Sequence, residues 1–321
     1  MDDRSTDSAA PHPGPLVAVC VITFQRPTGL RRLILSLAAL DLDTVSARLE
    51  LNIVDNDAAR SAEPVCTELA AVVPFPINYA VEPRRGIPIA RNRSVALMAP
   101  QADFAAFVDD DETMPPDWLT RLLRVQRIYG ADVVAGPVLP KFFTPPPAWA
   151  VAGRFFELTR HRTGARLDRA YTNNTLVRAA VLHRMDHLFD ERLVYTGGSD
   201  TELFRRVHQH GYSIIWADDA LVYDWVPATR VTVRWVLQRA FRFGVMTPRH
   251  EQCINPGLRS TARIAAIGCY RVLKGALLLV PSGFFARHCV VTSLRHICYG
   301  AGMLAGCLGL RYDEYRRTHG I

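Results

Sequence analysis

Phe107-Val108-Asp109-Asp110-Asp111-Glu112 ends an apolar run, Asp103 to Val108, with four consecutive carboxylates. Four adjacent negative charges repel one another, so a fold that keeps them together supplies a cation. The apolar run reads as a strand. A turn and a proline-started helix follow at Thr113-Met114-Pro115-Pro116-Asp117-Trp118. α/β sheets place ligands outside the carboxyl ends of their strands. Magnesium and manganese sites use one or two carboxylates together with substrate phosphate oxygens. Alternation along an extended chain aims Asp109 and Asp111 to one face and Asp110 to the other. Taken alone, the run is equally well explained as an acidic, solvated helix start that favours the helix dipole.

The flanking sequence supports a ligand site. Leu16 to Thr23 is a continuous apolar, β-branched run that suits a strand buried on both faces. A helix is expected from Thr28 to Leu40, a strand from Leu49 to Val54 ending at Asp55-Asn56-Asp57, and a helix from Ser61 to Val72. A strand at Ile77 to Val81 and a helix opened by Glu82-Pro83-Arg84-Arg85-Gly86 lead into the acidic strand. Alternating strands and helices imply right-handed crossovers and a mostly parallel sheet. The strand ends at Thr23, Asp55 and Asp109 then converge on one sheet edge.

In the second half a helix is expected from Pro116 to Tyr129 and a single strand from Asp132 to Leu139. Tyr171 to Val177 reads as a further strand, and Tyr212 to Trp216 and Ala220 to Tyr223 as closing strands. Thr196-Gly197-Gly198-Ser199-Asp200 precedes a helix running to His210. Ser199-x-x-Glu202 matches a capping box, whereas two glycines before Asp200 allow close approach of another molecule, with Asp200 a candidate general base.

Net charge is +7, carried unevenly. From Val226 onward there are 14 Lys+Arg against 3 Asp+Glu, a balance of +11, and the preceding residues carry −4. Two apolar stretches, Arg263 to Val280 and His296 to Leu310, bear internal or flanking cations. An in-plane helical hairpin on an anionic membrane surface is expected rather than a transmembrane pair. The apolar neighbours of these arginines suit lipid rather than nucleic acid. Residues 1–14 read as a disordered tail without a signal-peptide core. Seven irregularly spaced cysteines suit free thiols in a reducing cytosol. Phosphate-loop, Gly-x-Gly-x-x-Gly and Gly-x-Ser-x-Gly motifs are missing, which argues against nucleotide-triphosphatase, dinucleotide-binding and α/β-hydrolase chemistry.

Together, Val19 to Arg26, Ile53-Val54-Asp55-Asn56-Asp57, Gly86 to Asn92, Phe107 to Glu112, Gly197 to Leu203 and Trp235 to Gly244 resemble the family-2 inverting nucleotide-sugar glycosyltransferases, with their GT-A fold. The similarity is greatest to bacterial exopolysaccharide enzymes of the succinoglycan glucosyltransferase type. It implies a GT-A domain over 15–244; the composition beyond it reads as a basic, apolar helical region over 245–321. The similarity also implies that Thr23 and Asp55 hold the uracil, with Arg84 and Arg91 on the nearby loop. Asp109 would contact the ribose, Asp111 would bind Mg²⁺ or Mn²⁺, and Asp200 would be the base. Ser199 stands where family members often carry an acid. Arg234-Trp235 match half of the processive Gln-x-x-Arg-Trp motif, with Val231 in place of Gln, which favours transfer of a single sugar.

The implied reaction moves a hexose from a nucleotide sugar, a UDP-sugar, to a hydroxyl of a glycan or lipid-linked glycan, at the cytoplasmic face of the inner membrane. Alternatives are transfer to polyprenyl phosphate and a non-catalytic nucleotide-binding scaffold.

Overall fold

The computed structural model describes residues 14–194, 197–254, 256–282 and 286–310. The tail expected over 1–14 thus lies outside the described residues except for Gly14, as do Tyr195 and Thr196.

The first half alternates strand and helix: β1 (Leu16–Thr23), α1 (Pro27–Ala38), β2 (Arg48–Asp55), α2 (Glu63–Ala70), β3 (Ile77–Val81), α3 (Ile87–Ala96) and β4 (Phe104–Phe107). A two-residue strand β5 (Glu112–Thr113) follows, which the sequence did not lead one to expect. Then come α4 (Trp118–Tyr129), β6 (Val133–Ala135), β7 (Val138–Phe142), α5 (Ala148–Ala152), β8 (Thr175–Arg178) and α6 (Ala179–His183). The domain closes with α7 (Ser199–Gln209), β9 (Ile214–Trp216) and β10 (Val222–Val226).

The main sheet has the order β3-β2-β1-β4-β8-β6-β9. β1 to β4 are parallel, and β8 alone runs against its neighbours. Its centre is sealed by apolar side chains on both faces. Val17, Val19 and Val21 pack with Leu30, Leu33 and Ile34 of α1, whereas Ala105 and Phe107 pack with Phe189, Leu203 and Phe204. Because the central strands are parallel, Thr23, Asp55 and the residues after Phe107 emerge at the same edge.

The strand expected from Asp132 to Leu139 is two strands in two sheets. Pro137 has no N–H to give, and a Cβ on Gly136 would fall 2.5 Å from Ala220 O and from the Asn174 amide. The chain therefore leaves the main sheet there, and β7 joins β10 and β5 in a small second sheet. This places β10 against the acidic segment, with Asp224 opposite Glu112.

Three long helices follow: α8 (Val233–Ile254), α9 (Leu258–Ser282) and α10 (Arg287–Cys307). The boundary expected at residue 244 falls inside α8. The expected two-helix hairpin is instead part of a three-helix unit in which α10 packs along both α8 and α9. Glycines permit this approach: a Cβ on Gly302 would strike Phe241 O of α8 at 2.1 Å, and one on Gly300 would strike Gly268 O of α9 at 2.5 Å. The unit is tied to the sheet domain by a cluster of Trp149, Phe155, Phe156, Val226, Val236 and Val291. Trp235 stacks on Phe156 with centroids 5.7 Å apart.

Helix α1 is pressed against the acidic loop at Gly29, where a Cβ would lie 2.8 Å from Asp110 O. Helix propensity alone predicts that Gly29→Ala stabilises by roughly 1 kcal/mol. The backbone contact predicts the opposite, a loss of about 1–3 kcal/mol. Urea unfolding of the variant distinguishes the two, and a gain in stability would contradict this packing.

Candidate active site

Carboxylates meet arginines where β1 and β4 end. Thr23 Oγ1 donates to Asp110 Oδ2 at 2.7 Å. Arg26 Nη1 lies 3.0 Å from Asp110 Oδ1 and 3.0 Å from Asp111 Oδ2. Arg230 Nη1 reaches Asp111 Oδ2 at 3.6 Å from the segment after β10. Asp110 is buried, in keeping with the alternation that aims it away from Asp109 and Asp111. Burial, then the neighbouring Asp111 charge, pushes its pKa up, and Arg26 opposes this. Glu112 is buried as well. Its Oε2 accepts the Asp109 N–H at 2.7 Å, and burial raises its pKa well above the usual carboxylate range.

Asp109 faces the cleft, with 41% of its side chain exposed and Arg91 Nη2 at 3.5 Å. Its pKa rises to about 6, chiefly by desolvation; Arg91 opposes the rise, and Asp111 and Asp200 add to it. Asp200, at the start of α7, is thus among the charges that Asp109 feels. Two glycines shape that helix start. Gly197 and Gly198 have φ of +67° and +83°, a region that other residues enter at a cost. The capping box is not formed: the N-cap is Gly198, and Ser199 is already in the helix without a side-chain cap bond. Glu202 is held by Arg206 at 2.7 Å. Asp200 is half-buried and accepts the Thr201 N–H at 2.7 Å.

Asp55 is 0% exposed, and its oxygens accept the N–H groups of Asp57 and Ala62 and the Tyr79 hydroxyl. Both oxygens accept from the chain's own donors, so Asp55 holds the turn. Thr23 is likewise buried, its proton given to Asp110. Asn56 braces the next loop by donating to Glu82 O and Arg84 O and accepting the Gly86 N–H. Arg84 is exposed and pairs with Glu82 and, at 3.5 Å, with Glu191. Arg85 covers the Phe24 ring at 3.9 Å. Asn92 on α3 is bonded both ways to the Phe189 backbone, which links the Arg91 helix to the segment leading to Asp200.

A family model for glycosyl transferase family 2 matches residues 18–185. The chain belongs to glycosyltransferase family 2. This transferase is 34% identical over 300 residues to the succinoglycan biosynthesis protein ExoM of Rhizobium meliloti (strain 1021), covering 93% of this chain and 94% of that protein. Its fold is similar to that of S. aureus TarS. The TM-score is 0.52, with 15% identity, 94% coverage of this chain and 93% of the other, against TarS 1-349 in complex with UDP-GlcNAc. Against a longer TarS structure it is 0.53 with 15% identity, 88% of this chain covered and only 54% of the other.

The transferase also carries a carboxylate that sequence reasoning passed over. Asp224 sits on β10, its Oδ1 buried and without a hydrogen-bond partner. Its pKa rises to about 6 through burial first and then the Asp111 charge; Arg230 and Arg239 oppose this, and Asp109 adds to it. A half-buried carboxylate with one buried, unpartnered oxygen, raised in pKa by the Asp111 charge, suits a hard divalent cation. Among the described residues no three such side chains converge as a closed metal cage. Asp111 and Asp224 are the residues that would hold an ion, with phosphate oxygens to complete its coordination. No motif flags Asp224, because only the pairing of β10 with Glu112 brings it to the acidic loop. Arg26 and Arg230 were also missed as site residues, though Arg26 stood within a quoted motif.

Asp224 yields a pH-dependent prediction. Its folded-state pKa lies above the unfolded value, so ionisation costs stability as pH rises through roughly 4 to 6, and the cost is complete above that. In EDTA at pH 7.5, Asp224→Asn should therefore be more stable than wild type by about 1–3 kcal/mol, the gain vanishing near pH 4. Thermal melts across pH check this. Destabilisation at pH 7.5 would mean that the carboxylate is well satisfied without an ion.

Proposed function

We propose that this glycosyltransferase moves a single hexose, with inversion, from a UDP-sugar to a hydroxyl of a glycan or lipid-linked glycan, in exopolysaccharide biosynthesis. The observation that carries the reading is the acidic strand end itself, where Arg91 stands beside Asp109 and Arg26 and Arg230 beside Asp111; the Asp200 charge felt at Asp109 supports Asp200 as its partner. The resemblance to ExoM supports the biosynthetic setting, and the TarS complex with UDP-GlcNAc supports a UDP-sugar donor. Work at the cytoplasmic face of the inner membrane fits a lipid-linked acceptor.

In this reading the uridine lies over the β1 and β2 ends. The Thr23 oxygen keeps acceptor capacity for the uracil after giving its proton to Asp110. Asp55 acts through the turn it holds, which presents Asp57 and the Arg84–Arg85 loop to the base. Asp109 accepts from the ribose, with Arg91 fixing its carboxylate. Arg26 and Arg230 stand beside Asp111, where charged donors meet the diphosphate.

Asp200 takes the proton from the acceptor hydroxyl. That oxygen attacks the anomeric carbon from the face opposite the diphosphate. The carbon–oxygen bond to the diphosphate breaks and its electron pair leaves with the nucleotide, so the configuration inverts. Mg²⁺ or Mn²⁺ held by Asp111 and Asp224 would supply neutralisation of the charge developing on the diphosphate.

Asp200→Asn keeps the shape and removes the base. Transfer should fall by about 10²–10⁴-fold while UDP affinity stays within about twofold of wild type. Radiolabelled sugar transfer and calorimetry measure the two. Near-normal transfer by the variant would remove Asp200 from the mechanism and favour an acceptor that needs no base, such as a phosphate.

A further inference from the structure

With α10 enclosed between its neighbours, α9 is left with a face that the chain does not cover. Tyr270, Leu273, Leu277 and Val280 recur at helical spacing along it, with exposures of 62%, 59%, 64% and 76%. Ile267 and Leu278 widen the strip. Soluble proteins rarely leave a contiguous apolar strip of this kind to water.

Charge selects the occupant. α9 contains Arg259, Arg263, Arg271 and Lys274, α10 contains Arg287 and Arg295, and neither helix contains an Asp or Glu. The local field is positive: burial lowers the His296 pKa, and Lys274, Arg271 and Arg295 lower it further. Arg259 and Lys274 are exposed along the same helix as the strip. Two copies joined through this face would set cation against cation with no acid on either helix. Among the described residues no helix is long and apolar enough to cross a membrane. An apolar strip with a cationic border on a non-spanning helix is the pattern of an interfacial helix on anionic lipid.

We propose that the outer face of α9, formed by Tyr270, Leu273, Leu277 and Val280, is a docking surface for an anionic bilayer, with the helix lying in the plane of the headgroups. α10 does not insert; it is the internal strut that carries α9. The cluster joining α5, β10, α8 and α10 passes this fixed orientation to the catalytic cleft. Docking does not depend on the transfer reaction, so its test needs no substrate.

The full chain is floated with phosphatidylcholine vesicles, with and without phosphatidylglycerol. The wild type should bind the phosphatidylglycerol vesicles about tenfold or more better than the neutral ones. Leu273→Glu/Leu277→Glu should lose at least about tenfold of that binding. Both positions are exposed, so an unchanged melting temperature confirms that the fold persists. Arg259→Glu/Lys274→Glu keeps the apolar strip and should lose roughly tenfold on anionic vesicles only. Failure of the wild type to float, or wild-type binding by the leucine variant, would overturn the proposal. So would a wild-type dimer in light scattering that becomes monomeric in the leucine variant without vesicle binding, which would assign the face to a second copy.

Discussion

The guanidinium of Arg26, lodged between Asp110 and Asp111, is what allows four carboxylates to stand together at the end of β4. Without a cation there, burial and mutual repulsion would act together against the loop. Thr23 completes the arrangement by holding the other Asp110 oxygen. Asp110 thereby becomes the anchor, and its neighbours on either side are turned toward the cleft. Gly29 belongs to the same device, since α1 must come close enough for Arg26, at its start, to reach the loop.

From that anchor the site spreads along the parallel sheet. β2 brings a turn organised from inside by Asp55, and β3 leads to the loop that Asn56 braces. α3 carries Arg91 to Asp109 and, through Asn92, fixes the approach to α7. β10 crosses from the second sheet and adds Asp224 and, just beyond it, Arg230. Positive charge from three separate segments thus faces a small acidic centre, an arrangement suited to an anionic diphosphate bridged by a hard cation. The helical unit is joined to β10 through an aromatic cluster, so the surface and the cleft are parts of one packed structure.

Much of the first half was legible in the sequence because buried parallel strands are continuous apolar runs. Leu16–Thr23 and Ile77–Val81 are found at the expected residues, and the polar strand ends converge. The later half was harder for physical reasons. The periodicity of Asp132 to Leu139 does not distinguish one strand from two, and the mark of the break in the sequence is the Gly136-Pro137 dipeptide. The split comes from tertiary crowding at Gly136 and the missing N–H of Pro137. The C-terminal apolar stretches read as a hairpin, because sequence does not tell which apolar face is filled by glycine-mediated helix contacts and which is left open. Within the site, residue types were easier to read than their partners. Asp55 is as conspicuous in sequence as Asp109, yet its oxygens accept from local N–H groups and Tyr79. Asp224 is inconspicuous and reaches the acidic loop only through strand pairing.

The central claim is that the Asp109–Asp111 strand end is a nucleotide-diphosphate site completed by a divalent ion. Calorimetric titration of UDP into the wild type and Asp111→Asn, each with Mn²⁺ and with EDTA, tests it most directly. The account predicts that Mn²⁺ strengthens UDP binding to the wild type by about tenfold or more, and that Asp111→Asn loses this enhancement while keeping its fold. Equal UDP affinity in Mn²⁺ and EDTA, unchanged by Asp111→Asn, would contradict it.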